Sequence, residues 1–82
     1  MPSSRLFNDQ LLRIVQIGGR QVVCESDQDL VLLKEAKIVE EFPERILYLT
    51  VGRLQLINDA CQRYSLAKHQ RLVRNVIDRL RH

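Results

Sequence analysis

The sequence predicts a mainly α-helical fold, a small bundle of about four helices, on three observations. Two apolar rows run at helical spacing through its last half. An acidic middle stretch carries a helix-start signal at one end and a stop signal at the other. The only aromatics are Phe7, Phe42, Tyr48 and Tyr64, with no Trp, so Leu, Ile and Val must build the core, a composition that suits helix packing. At 82 residues the chain makes one domain, residues 1–82, in the size range where a single core is marginal and oligomerisation is a common supplement. Hydrophobic residues at 45% and charged residues at 28% place it with globular rather than disordered chains.

In the first row Leu47, Thr50, Leu54, Ile57, Cys61 and Tyr64 follow one another at alternating steps of three and four. That spacing lines side chains along one helix face. The second row, Leu66, His69, Val73, Val76 and Leu80, has the same steps but a different phase. One straight helix cannot carry both, so two helices are expected, broken at Ser65, with Ser65 as N-cap of the second.

Ser26-Asp27-Gln28-Asp29 reads as a helix start, the serine capping and the acids meeting the positive end of the helix dipole. A helix from Asp27 to about Glu41 is expected after it, with Leu32, Ala36 and Val39 as its buried stripe, widened by Val31 and Phe42, and Pro43 closing it. From Ser4 to Ile17 the preferred reading is a helix with Phe7, Leu11, Ile14 and Val15 on one side and Gly18 as its stop. The rival is a hairpin about Gly18-Gly19, with Val15 facing Val22 and Gln16 facing Gln21. Residues 45–51 are ambiguous in the same way, strand or helix, with Gly52 inside the helix if the row is continuous or allowing close approach of a neighbour. The alternative fold is therefore α+β, an N-terminal hairpin plus a third strand packed on two C-terminal helices.

Charge is distributed unevenly along the chain. Residues 25–44 hold seven acids against Lys34 and Lys37, whereas residues 45–82 hold eight basic residues against Asp59 and Asp78. The two halves are expected to neutralise each other in the fold or across a dimer; otherwise the basic end faces an anionic partner. The outward side of the last helix, Lys68, Arg71, Arg74 and Asn75 with Arg79 and Arg81 near its end, is the candidate contact surface for a partner or nucleic acid. Arginine grips phosphate and carboxylate alike through two parallel hydrogen bonds.

No catalytic, cofactor or metal site is expected. Cys24 and Cys61 form no CxxC pair and read as reduced, buried thiols. His69 has only the terminal His82 as a fellow imidazole and reads as a surface or interface side chain; the Ser65/His69 spacing finds no acid at a helical offset to orient the ring. Gly18-Gly19 lacks the spacing of a phosphate-binding loop. The N-terminus shows no signal-peptide apolar stretch, and no apolar run approaches the ~18 residues of a membrane span, so a soluble cytoplasmic protein is expected.

Arg53-Leu54, Ile57-Asn58-Asp59-Ala60, Arg71-Leu72-Val73 and Arg79-Leu80 are similar to the final helix pair of the collar domain of bacterial clamp-loader subunits. The likeness spans residues 53–80. The Asn-Pro turn of that family is absent, His69-Gln70 standing in its place, and no residue role or function carries over.

The sequence thus points to a non-enzymatic protein–protein interaction module, an adaptor or regulator working as a homodimer or on a protein partner. The alternative is a DNA- or RNA-binding regulator using its basic C-terminal helix.

Overall fold

The apolar run before Gly18 folds as one arm of a β-hairpin. The computed structural model describes residues 13–42 and 49–81. In it β1 (Ile14–Ile17) pairs antiparallel with β2 (Arg20–Val23), Val15 opposite Val22 and Gln16 opposite Gln21. Gly18 and Gly19 have φ of 63° and 76°, the pair of positive angles that a two-residue primed turn requires. Beyond the strands the Cys24 N–H donates to the Arg13 carbonyl at 2.8 Å and holds the two arms together. The helix preferred for this stretch is thus corrected where it is described, and its first part, residues 4–12, lies outside the described residues. Ile14, Val15, Ile17, Val22 and Val23 are β-branched and suit a pleated surface. Pairing puts Val15, Ile17 and Val22 on one buried face and leaves Gln16 and Gln21 outside.

Helix α1 (Asp27–Glu41) has the bounds the sequence predicts. Ser26 caps it, its hydroxyl accepting the Asp29 N–H at 3.1 Å, with Asp27 and Asp29 in the first turn. The Phe42 N–H closes the other end on the Ile38 carbonyl at 2.7 Å. Its buried face is Leu30, Leu32, Leu33, Ala36 and Val39. The expected widening of this face lies on the wrong side: Val31 and Phe42 are exposed, and Leu30 and Leu33 fill the core instead. The reason is that α1 is covered by both the hairpin and the next helix, so its buried arc is broad and is displaced from the narrow stripe assumed.

Helix α2 (Val51–Arg63) starts later than the apolar row implies. Thr50 stands outside the helix as its N-cap, accepting the Arg53 N–H at 3.1 Å. Gly52 therefore sits in the first turn, and an added Cβ there would meet only Thr50 Oγ1, at 4.0 Å, so it marks no close helix approach. Residues 43–48 lie outside the described residues, and with them the proposed third strand and Leu47. The rest of the row packs as expected, Leu54, Ile57 and Cys61 being wholly buried and Tyr64 half-buried.

The break falls at Ser65, but Ser65 is not the cap of the next helix. It has φ 58° and occupies the left-handed position just past α2. Its N–H donates to the Gln62 carbonyl at 3.2 Å, and the Leu66 N–H reaches back to the Cys61 carbonyl at 2.8 Å. These are the two bonds of a Schellman ending, where glycine is the usual occupant. Helix α3 (Ala67–Arg81) begins at once and packs mainly on α2. Leu66, His69, Val73, Val76 and also Ile77 are buried, whereas Leu80 at the far end is exposed.

Among the described residues the architecture is three helices and a two-stranded hairpin. It is mainly helical; the count of four helices is not supported, and the α+β alternative fits better. Most described members of both apolar rows are buried within a single chain, Thr50 and Leu80 being exposed, so the rows do not of themselves demand a second copy.

Two stability changes are expected from this packing. Leu54→Ala removes a wholly buried side chain and is expected to cost about 2–5 kcal/mol in urea denaturation. Ser65→Gly relieves a left-handed residue that carries a Cβ and is expected to raise stability by about 0.5–1 kcal/mol.

Candidate functional site

The chemistry available to this molecule is decided by which charged groups the fold uses internally. Helix α1 takes up bases from the residue before β1, from α2 and from α3. Asp27 takes Arg13 at 2.9 Å, Glu35 takes the fork of Arg53 with Nε to Oε2 at 2.9 Å, and Glu40 takes Lys68 at 3.2 Å. Asp29, only 8% exposed, is held from two sides: the Tyr64 hydroxyl donates to Oδ2 at 2.7 Å, and Arg63 donates to Oδ1 at 2.5 Å. Tyr64 in turn accepts the Glu25 N–H at 2.8 Å, so one phenol joins the hairpin exit, α1 and the end of α2. The Tyr64 hydroxyl, with help from Arg63 and Ser26 and against the cost of burial, lowers the Asp29 carboxyl below its ordinary range. Burial raises the Tyr64 phenol in the same cluster.

His69 is not a surface group. It is 1% exposed, and its Nε2 hydrogen-bonds Glu40 Oε2. An acid does orient this imidazole, but from α1 rather than from its own helix. For Glu40 burial favours the neutral acid, yet the contacts with Lys68 and His69 outweigh it and its pKa is lowered. Ser65 Oγ makes no hydrogen bond to His69, so the spacing that suggested a nucleophile and base is not matched by contact. Gly18 stands over the ring: a Cβ built there would lie 3.4 Å from His69 Cε1. Arg20 at the hairpin tip donates to the Tyr64 carbonyl and, at 3.3 Å, to the Ser65 carbonyl. A cation is thus set on the carbonyl end of α2, where the helix dipole favours it.

Cys24 and Cys61 are free and buried. Burial pushes the Cys61 thiol up to about 11, which leaves it unreactive near neutrality. Among the described residues no group of three or more His, Cys, Asp or Glu could hold a metal ion, and no helix is long and apolar enough to cross a membrane.

The six residues singled out on α3 divide. Lys68 is exposed but tied to Glu40. Arg71, Arg74, Asn75, Arg79 and Arg81 are exposed, and none has a hydrogen bond or ion pair among the described residues. Among the described residues the expectation that the two halves neutralise each other therefore holds for Arg53, Arg63 and Lys68 and not for the arginines of α3. Arg71, Arg74, Asn75 and Asp78 line a shallow polar cleft on this face. Arg74 and Arg81 also border a second one, shared with Gln55, Asn58 and Asp59 of α2. Asn58 Oδ1, on the α2 side, is buried without a hydrogen-bond partner among the described residues. The pairing of His69 with Glu40 and of Tyr64 with Asp29 is not visible in sequence, because both bring together residues far apart in the chain. The one sequence signal for either is the polar His69 inside an apolar row. Comparison with protein-family models, with curated proteins and with solved structures finds no match to this chain.

A pH dependence is expected from Asp29. Its folded pKa is lowered, so its contribution is present in full above the unfolded aspartate value of about 4 and is lost as pH falls through the folded value. Urea midpoints for the parent and Asp29→Asn are expected to differ most at neutral pH and to converge in acid. A gap that persists unchanged to about pH 3 would assign the stabilisation to another group.

Proposed function

We propose that this protein is a non-enzymatic binding module, an adaptor or regulator, whose working surface is the outward face of α3. The observation that supports this reading is the division of its basic residues. Arg13, Arg53, Arg63 and Lys68 are occupied by acids of α1 and Arg20 by backbone carbonyls, while Arg71, Arg74, Arg79 and Arg81 stand exposed with no acid within salt-bridge distance among the described residues. Arg71 and Arg74, three residues apart, are a like pair at helical spacing, which is mildly destabilising. A partner carrying negative charge turns that cost into binding energy. The thiols are buried and His69 is buried with its Nε2 on Glu40, so neither stands on this surface, and a module that positions partners needs no nucleophile or proton shuttle there.

A homodimer would have to use side chains other than the two buried rows. Val31 and Ile38, seven residues apart on α1, are exposed apolar groups at hand.

The reading is tested with the double variant Arg71→Glu/Arg74→Glu. Both side chains are exposed and unpaired among the described residues, so stability should change by less than about 0.5 kcal/mol per site. With the folded variant and the parent as baits in native cell extract, the macromolecules retained by the parent are expected to be lost from the variant. Identical retention by both baits would remove α3 as the working surface.

A further inference from the structure

We infer that the partner met by this face is a DNA duplex, gripped through its phosphodiester backbone along the line of Arg71, Asn75 and Arg79. This rests on the reading of α3 as the working surface and adds the chemistry of what it meets.

The three residues stand at i, i+4 and i+8 and form one ridge of the helix. At 1.5 Å per residue Arg71 and Arg79 are ~12 Å apart along the axis. Each of the two arginines can meet a phosphate of the duplex, which gives roughly two phosphate contacts from the ridge. Arg74 and Arg81 lie beside this ridge, but Asp78, the one acid of α3, stands between them at i+4 and i−3, and Asp59 faces them across the cleft from α2. Asp78 also shares the cleft of Arg71 and Asn75, so the ridge carries two arginines with one acid at its edge, a net positive contact for a polyanion.

An acidic protein would present negative charge as well, and the apolar content of the face decides between them. Protein interfaces draw their binding energy from a few aromatic or large apolar anchors at their centre. The exposed large apolar side chains among the described residues are Val23, Val31, Ile38, Phe42, Leu56 and Leu80. Only Leu80 belongs to α3, and it lies on the line of the buried row at the helix's last turn rather than on the ridge. A phosphate backbone needs no such anchor. Helix α3 also carries no aromatic side chain apart from the buried His69, so it offers no platform on which unpaired bases could stack. That favours a duplex over a single strand. The outward half of an α-helix about 10–12 Å across fits a B-form major groove of about 12 Å, whereas the deep, narrow major groove of an RNA duplex excludes it.

The test is fluorescence anisotropy of the full chain with four labelled probes: a mixed-sequence DNA duplex, the RNA duplex of the same sequence, the single DNA strand, and a poly-glutamate peptide. Each is titrated over a salt series starting near ~50 mM. The DNA duplex should bind most tightly, with log K falling against log salt at a slope of about −2, roughly two phosphates at ~0.9 each. Arg71→Glu/Arg79→Glu should weaken it at least tenfold by this same electrostatic count, roughly two phosphate contacts removed. Lys34→Glu/Lys37→Glu makes the same change of net charge on α1, and should weaken binding far less. Circular dichroism and urea midpoints near the parent's establish that both variants are folded. Equal losses from the two double variants would overturn the ridge, since binding would then track net charge alone. A single strand or RNA duplex bound more tightly than the DNA duplex would overturn the choice of partner. Retention of poly-glutamate in place of DNA, lost in Arg71→Glu/Arg79→Glu, would overturn the inference while leaving the α3 reading standing. If the parent binds none of the four probes at low salt, the inference falls, while the α3 reading is decided separately by the bait comparison of parent and Arg71→Glu/Arg74→Glu.

Discussion

Asp29 is the constraint around which the rest of the fold is arranged. A carboxylate on a side chain only 11% exposed would be costly to keep charged unless the lone pairs that face inward were satisfied. Two donors do that, Tyr64 and Arg63, and both come from the end of α2. Their position fixes where α2 must stop, because Tyr64 is its C-cap, and so fixes where the chain turns into α3. Arg20 then seals the carbonyls that this turn exposes. One buried acid in the first turn of α1 thus sets the junction of all the elements. The pairs made by Asp27 and Lys68 are exposed and contribute little by comparison.

The same accounting explains why the candidate surface lies where it does. Acids of α1 can reach bases only on the sides of α2 and α3 that face it. The α2 bases and the first α3 base fall within that reach; from Arg71 onward the outward side of α3 is beyond it. The asymmetry of charge along the sequence is therefore partly cancelled by folding, and among the described residues the arginines left without an acid or carbonyl partner all lie on α3, with Lys34 and Lys37 of α1 also outside any ion pair.

Much of this is legible in the sequence where the signal is local. The cap at Ser26, the bounds of α1, the buried Leu54, Ile57 and Val73, and the break at Ser65 all depend on neighbours within one or two turns. The outward position of Arg71, Arg74 and Asn75 comes from helical periodicity alone. The hairpin reading has the correct register but ranks second in the sequence, because Ile14 and Val15 also fit a helical stripe whose other members are Phe7 and Leu11. Tertiary pairing, not propensity, decides such a segment. Sequence alone places Ser65 at the wrong helix end because a serine at a break is more often an N-cap than a left-handed residue. The His69–Glu40 and Asp29–Tyr64 pairs span 29 and 35 residues, and nothing in one-dimensional spacing marks them.

The two glycines of the hairpin turn bear unequal burdens as the sequence drifts. Gly19 has nothing within 4 Å of where a Cβ would lie, so its demand is only that of its positive φ, which Asn or Asp can also meet. Gly18 has the same demand of angle, and in addition its missing side chain leaves room for the His69 ring and Leu66, 3.4 and 3.6 Å away. A Cβ at Gly18 would therefore rest in ordinary contact with the junction of α2 and α3, and only a side chain longer than alanine would press on it. Asn or Asp at Gly19 has only the angle to meet, whereas at Gly18 the same residues would also have to fit beside His69 and Leu66.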